Sequence, residues 1–225
     1  MKRVAAVILL LAACGCSGVP FKEAPRVPLA KTDPSMVCDA FREKTPGKFS
    51  LLASIMFEFN LLRRMAALGT IEADAGARKF TAAVFNPVGV KLFELASAGD
   101  VVETRYVIGA LAGKGDLAGA VGGDIARVYF DLVPSPGAKV KTTKYRAIFE
   151  EKSGSGRLRR IFSGSPGLLS VKEYRERGDL VWRIRYYQYR EVGGKLFPGG
   201  VVLDNFKYGY RLVVKLKEVY PDAGN

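Results

Sequence analysis

Along most of the chain, apolar and polar side chains alternate with a period of two. Phe49, Leu51, Ala53, Ile55, Phe57 and Phe59 alternate with Ser50, Leu52, Ser54, Met56 and Glu58. This pattern predicts a strand with one apolar face. Similar stretches predict strands over Met65–Glu72, Lys79–Phe85, Val90–Ser97, Val101–Val107 and Lys144–Glu150. Others follow over Leu158–Phe162, Leu168–Glu176, Leu180–Arg190, Val201–Asn205 and Tyr210–Val219. Turn chemistry separates them at Asp74-Ala75-Gly76, Asn86-Pro87, Gly99-Asp100, Gly178-Asp179 and Gly193-Gly194. Eleven short strands joined by tight turns predict an antiparallel meander.

One segment changes period. Val121, Ile125, Val128, Tyr129 and Leu132 recur at spacings of three and four, which predicts an amphipathic helix over 116–132. Gly119, Gly122 and Gly123 weaken its first half, and Pro134 and Pro136 stop it. Such a helix within a meander either covers one face of a curved sheet or plugs its core.

The N-terminus has a different character. Met1-Lys2-Arg3 precedes an unbroken apolar run, Val4 to Ala13, too short for the about 20 residues that span a bilayer. A basic start, short apolar stretch and small residues mark a secretory signal over 1–13. Leu11-Ala12-Ala13-Cys14 resembles the bacterial lipobox. That resemblance implies a Cys14 thiol that accepts lipid and becomes the mature N-terminus. Cys16 fits less well, because Ala13 would stand where the lipobox has leucine. Gly15 rather than an aspartate after Cys14 implies outer-membrane anchoring, facing the periplasm. Residues 14–47 hold Pro20, Pro25, Pro28, Pro34 and Pro46 and are expected to form a tether. A short helix is predicted within it, with Asp33 as N-cap, Pro34 in its first turn and an apolar face of Met36, Val37, Ala40 and Phe41. Cys38 is expected to be a small buried apolar residue. The sheet domain is expected over 48–219.

Composition narrows the chemistry. The 225 residues contain no histidine, which removes Ser-His-Asp and Cys-His machinery and the common zinc sites. Three cysteines make no disulfide framework. Lys and Arg outnumber Asp and Glu by 35 to 22, a net charge of +13. Arg183, Arg185, Arg190, Lys215 and Lys217 place positive charge opposite the apolar rows, a surface suited to anionic lipid headgroups rather than to nucleic acid in an exported domain. Gly113-Lys114-Gly115 with Ala118 lacks the βαβ setting of a dinucleotide loop. Gly164-Ser165-Pro166-Gly167 lacks the spacing of a nucleophile elbow. Glu150-Glu151 and Asp116 with Asp124 form no metal-ligand pattern. Neither catalysis nor a cofactor is expected.

The sequence is similar to the LolA/LolB-like lipoprotein carriers in several stretches. Phe80 to Leu95, with Asn86-Pro87-Val88-Gly89 between two apolar strands, resembles the LolB pattern of strand, Asn-Pro-Leu-Gly, strand. Ile125 to Pro134 resembles the lid helix of that family, and Leu196-Phe197-Pro198, Val201–Asp204 and Tyr210–Lys217 resemble its last two strands. The resemblance implies an α+β fold, a strongly curved antiparallel sheet of about eleven strands forming an incomplete barrel, with helices over its open face. It implies a membrane-insertion loop at Pro87 and Val88, where Val88 replaces a protruding leucine. It also implies a lid carrying Ile125, Val128, Tyr129 and Leu132, with Arg63 and Arg64 as candidates for the arginine that gates it.

A carrier of acyl chains needs a concave apolar surface without reactive groups. Phe49, Leu51, Ile55, Phe57, Phe59 and Phe80 are the candidate ligand-binding residues of the first strands. Trp182, Ile184 and Tyr186, and Tyr210, Leu212, Val214 and Leu216, form two further apolar rows. Burying about 16 acyl carbons, at about 0.8 kcal/mol per methylene, favours binding by roughly 12 kcal/mol before ordering costs. The expected function is an outer-membrane lipoprotein, monomeric, that binds acyl chains or lipidated cargo and receives it from a periplasmic lipoprotein carrier. The alternative is an anchored, non-catalytic interaction or scaffold domain in envelope assembly, with the same fold and a filled interior.

Overall fold

The structure, a computed structural model, describes residues 19–221 apart from 26, 30–32, 60–62, 114, 115 and 165. The strands are β1 Lys48–Phe59, β2 Arg63–Asp74, β3 Lys79–Phe85, β4 Lys91–Ala98, β5 Val101–Val107 and β6 Lys139–Thr143. They continue with β7 Arg146–Ser153, β8 Gly156–Ser163, β9 Leu168–Glu176, β10 Asp179–Val192, β11 Lys195–Asn205 and β12 Tyr210–Pro221. Helix α1 spans Pro34–Lys44 and helix α2 spans Leu117–Tyr129. All the strands belong to one antiparallel sheet of order β5-β4-β3-β2-β1-β12-β11-β10-β9-β8-β7-β6.

The order explains the architecture. Every hairpin pairs sequence neighbours, while β1 and β12 close the centre of the sheet from its two chain ends. The edges are therefore β5 and β6, and the chain passes from one to the other through α2. Register shifts between Leu52 and Ala53, Val84 and Phe85, Glu94 and Leu95, and Ile161 and Phe162 add local twist, which curls the sheet toward its apolar side. Fold class and curvature are as the alternation and the family resemblance predict.

Three elements differ from expectation. β6 is a twelfth strand, and all five of its residues are exposed. With neither face buried, it carries no alternation to detect. β11 begins at Lys195 and runs through Pro198, Gly199 and Gly200, residues that disfavour strands; there Gly199 lies against the Gln188 carbonyl, where a Cβ would be 2.8 Å from the oxygen. Helix α2 stops at Tyr129, and Asp131 takes a positive φ of 51°, so Leu132 lies beyond the helix.

The N-terminal segment is docked onto the domain. Phe21 is buried on the outer face against Tyr187 and Val202, its ring over Gly200. Asp33 caps α1 by accepting from the Ser35 amide at 2.9 Å. The buried face of α1 is Val37, Cys38 and Phe41; Met36 and Ala40 face solvent. Burial pushes the Cys38 thiol up to about 11, which suits a packing role rather than a reactive one.

The outer face carries a charge ladder in register across nine strands. Lys139, Glu150, Arg159, Glu173, Arg183, Asp204, Arg211, Glu58 and Arg64 are successive cross-strand partners from β6 through β12 to β1 and β2. Signs alternate at every step. Ion pairs close it at 2.8 Å for Arg159–Glu173, 3.0 Å for Arg183–Glu173, 2.6 Å for Arg211–Asp204 and 3.1 Å for Arg64–Glu58. A one-residue slip of any strand would turn its charge toward the apolar interior, so the ladder pins register. Glu173 is its keystone, because Arg159, Arg175 and Arg183 all converge on this one buried carboxylate. These contacts hold the carboxyl below its usual range despite its burial. Glu173→Gln removes the counter-charge of Arg175 and Arg183 and leaves Arg159 only Glu150, at 3.5 Å. It is expected to cost about 3 kcal/mol, measured by urea unfolding, and a loss near zero would show the ladder to be decorative.

Candidate functional site

The interior divides into a filled half and a hollow half. Beneath α1, Phe149, Phe162, Leu169, Trp182, Ile184 and Leu203 close into a packed core. Beneath α2, on β1–β4 and β12, a cavity of about 290 Å³ remains. Its floor is Ala53, Ala67, Gly69 and Ala82. These small residues stand on the inner face of β1, β2 and β3, with Ala53 paired to Gly69, Ile55 to Ala67 and Ile71 to Ala82. Its walls include Ile55, Phe57, Val84, Phe93, Leu212 and Val214, and its roof is Val121, Ile125, Val128 and Tyr129 of α2. Among the described residues, the polar groups on the lining are the side chains of Thr70 and Asp124 and the hydroxyls of Tyr129 and Tyr210. A Cβ at Gly69 would lie 2.7 Å from Ile55 Cδ1, so a side chain there would drive Ile55 into the cavity. Two other depressions carry charged residues: an open groove of about 970 Å³ among Lys139, Glu150, Arg157 and Arg175, and a notch of about 390 Å³ where Phe206 and Tyr210 stand beside Asp204 and Arg211.

The sequence-predicted ligand residues separate between the two halves. Ile55, Phe57, Leu212 and Val214 line the cavity, as does Tyr210. Phe49, Leu51 and Phe80 are buried in the core beside it, Leu216 packs against that core, and Phe59 stacks on Phe57 at the strand end. Trp182, Ile184 and Tyr186 lie in the filled half, Trp182 stacked on Tyr174 at 5.9 Å. Ile125, Val128 and Tyr129 roof the cavity, whereas Leu132 packs against the filled core. Arg64 is engaged with Glu58 on the outer face. Pro87 and Val88 sit at the β3–β4 turn, with Val88 82% exposed. Cys14 and Cys16 lie outside the described residues. The floor residues were missed because they are small: a row of Ala and Gly at inward positions is the signature of space, whereas large apolar residues signify filling.

Polar ties hold α2 over the cavity. Asp116 caps its N-terminus by accepting from the Gly119 amide at 2.7 Å. Gly122 brings the helix against edge strand β5, where a Cβ would meet Val102 at 2.6 Å. In mid-helix, buried Asp124 accepts from Tyr210 Oη of β12 and pairs with Arg127 at 2.6 Å. Tyr210 Oη in turn accepts from Asn205 Nδ2 at 2.9 Å. Burial pushes the Asp124 carboxyl up, opposed by Tyr210 and Arg127. Burial, with the Asp124 contact, raises the Tyr210 phenol too.

The C-terminal end of α2 is fixed more firmly. Lys172 Nζ donates to the carbonyls of Arg127 at 3.0 Å and Phe130 at 2.7 Å, and Tyr186 Oη donates to that of Val128 at 2.9 Å. Carbonyls at a helix C-terminus lack partners within the helix, so the N–H groups of this inward-facing lysine find acceptors here. Arg160 Nε donates to the Asp131 carbonyl at 2.7 Å, and its guanidinium pairs with Glu151. Among the described residues no group of three His, Cys, Asp or Glu is arranged to hold a metal ion.

No family model matches the chain, and no curated protein matches it in sequence. Solved structures do. A LolA superfamily protein from Nitrosomonas europaea aligns with a TM-score of 0.58 at 10% identity, over 86% of this chain and 96% of its own. An outer-membrane lipoprotein-sorting protein domain, so named, from Vibrio parahaemolyticus aligns with a TM-score of 0.55 at 10% identity, over 85% and 92%. A DUF1329 family protein from Desulfovibrio piger aligns with a TM-score of 0.52 at 10% identity, over 86% and 95%. The chain therefore has the LolA-like fold, over nearly the whole length of these neighbours.

Lys172 makes the anchoring of α2 sensitive to pH. Burial, reinforced by Arg160 and Arg78 and opposed by Asp131 and Glu151, lowers its ammonium from 10.5 to about 7. Between pH 7 and 10.5 the unfolded chain therefore binds more protons at this residue than the folded one, so its contribution to stability rises with pH across that window. The unfolding free energy of wild type minus that of Lys172→Met is expected to grow from pH 7 to pH 10. A difference that stays flat or shrinks contradicts the assignment.

Proposed function

We propose that this chain is a lipid-anchored protein of the bacterial envelope that holds an acyl chain, or the acylated end of a lipoprotein, beneath α2 and passes it on without covalent chemistry. The observation that carries this reading is the cavity: apolar, floored by small residues and roofed by a helix that the fold requires to cross there. Its volume of about 290 Å³ is at the lower end of small-molecule sites. An acyl chain has no directional bonds to satisfy and gains about 0.8 kcal/mol per buried methylene. The shared fold with a lipoprotein-sorting domain supports the same reading.

Lipidation at Cys14, after removal of residues 1–13, supplies the anchor in this account, and the outer membrane facing the periplasm is its proposed location. Because Phe21 is docked, the link from Cys14 to the sheet spans no more than about 25 Å even when fully extended. The domain then works at the bilayer surface rather than at the end of a long tether. Val88, held out on its turn, is the proposed insertion residue, and a periplasmic carrier of lipoproteins the proposed donor.

Binding of a fluorescent fatty acid to the full chain, carrying Cys14→Ser so that no anchor forms, tests the proposal. One probe per chain is expected. Ala67→Leu, which takes up the space of about three methylenes, is expected to weaken binding by roughly fiftyfold. Ile184→Val, in the filled half, leaves it unchanged. No probe binding, or equal loss in both variants, favours an anchored scaffold domain.

A further inference from the structure

Three neighbouring hairpin ends lie along one rim of the sheet. Register places them together: Phe59 pairs with Arg63 at the β1–β2 end, Phe85 with Lys91 at the β3–β4 end and Asn205 with Tyr210 at the β11–β12 end. These ends carry apolar side chains into solvent. Phe206 is 52% and Tyr208 59% exposed, beside Val88, Val90, Phe59 and Met65. The exposure is built in. Phe206 N–H donates to the Val181 carbonyl at 2.9 Å and Tyr208 N–H to Asn205 Oδ1 at 3.1 Å. Likewise Asn86 Oδ1 accepts from Val88 N–H at 3.1 Å and Val90 N–H at 2.9 Å. Two hydrogen-bonded turns thus hold large apolar groups away from the core, an arrangement that marks an interaction surface.

Basic residues interleave with them. Lys207 lies over the Tyr208 ring at 5.5 Å, and among the described residues neither Lys207 nor Arg63 is paired with an acid. The cavity reaches the surface here as well, since Met65 both lines it and is nearly half exposed. On the opposite rim the turns Asp74 to Arg78, Gly99-Asp100 and Gly193-Gly194 are small or polar. The exposed groups there, Val101, Tyr220 and Tyr145, the last with Lys144 5.4 Å from its ring at the β6–β7 turn, stand apart from one another along the sheet.

We propose that this rim docks the mouth of the cavity onto an anionic phospholipid bilayer, with Phe206 and Tyr208 in the interface and Lys207 and Arg63 against phosphate groups. Aromatic residues with a polar tip favour the headgroup region, and each basic residue near an anionic surface strengthens binding roughly fivefold. The surface stands independently of cargo; only its reading as the door of an acyl site rests on the function proposed above.

Co-sedimentation of the full chain carrying Cys14→Ser with vesicles tests this. Vesicles of phosphatidylglycerol and phosphatidylethanolamine are expected to bind it, less so as salt rises, and pure phosphatidylcholine only weakly. Phe206→Ser with Tyr208→Ser is expected to weaken binding at least tenfold, and Lys207→Glu by a similar factor. Val101→Ser with Tyr220→Ser, on the opposite rim, binds as the parent does, and circular dichroism checks that each variant is folded. Absence of binding by the parent, equal binding by the rim variants, or equal loss in the opposite-rim variant overturns the proposal. So does a rim that ignores vesicles and instead captures an acylated partner protein. If vesicle binding follows the rim while no fatty acid binds, the docking surface stands and the carrier reading falls.

Discussion

The pairing of β1 with β12 constrains everything else in this molecule. By joining the first and last strands at the centre of the sheet, it forces β5 and β6 to be the free edges. A single connection must then cross from one edge to the other. The shortest path that buries an amphipathic helix runs over the concave face, because that is where the inward apolar positions of the strands lie. Helix α2 is thus a roof by topology. Its polar ties to β9, β10 and β12 determine how firmly the roof is held.

Whether a roofed sheet becomes a solid core or a container depends on side-chain volume. On β7–β10, Phe, Trp and Tyr fill the space under α1, and their polar tips reach backbone carbonyls, as Tyr189 does to Leu169 at 2.9 Å. On β1–β3, Ala and Gly occupy the corresponding inward sites, and the large residues retreat to the walls. The halves differ in how much volume stands above the sheet. The acids and bases are likewise sorted by face: inward ones cap α2, and outward ones form the ladder.

Much of this was legible in the chain. Strict alternation located eleven strands, Asp33 and Pro34 located α1, and the change to a spacing of three and four located α2. What escaped notice did so for physical reasons. β6 is an exposed edge with no buried face to leave a pattern. The extension of β11 through Pro198 to Gly200 contradicts local propensity and exists because its neighbours hold it. The cavity floor depends on pairing Ala53 with Gly69 and Ile55 with Ala67, a register that no single strand reveals. The charge ladder is invisible for the same reason: Glu58 and Arg211 are adjacent only because the sheet closes through β1 and β12. The docking of Phe21 requires a bare patch at Gly200, far along the chain.

The central claim is that the hollow under α2 is a container for an acyl chain. Native mass spectrometry of the full-length protein, gently extracted from the membranes of cells that produce it, tests this most directly. The account predicts, besides any covalent lipid, one releasable acyl-chain molecule per protein, which disappears when Gly69→Leu fills the cavity. A protein that carries no such molecule, or carries it undiminished in the filled variant, contradicts it.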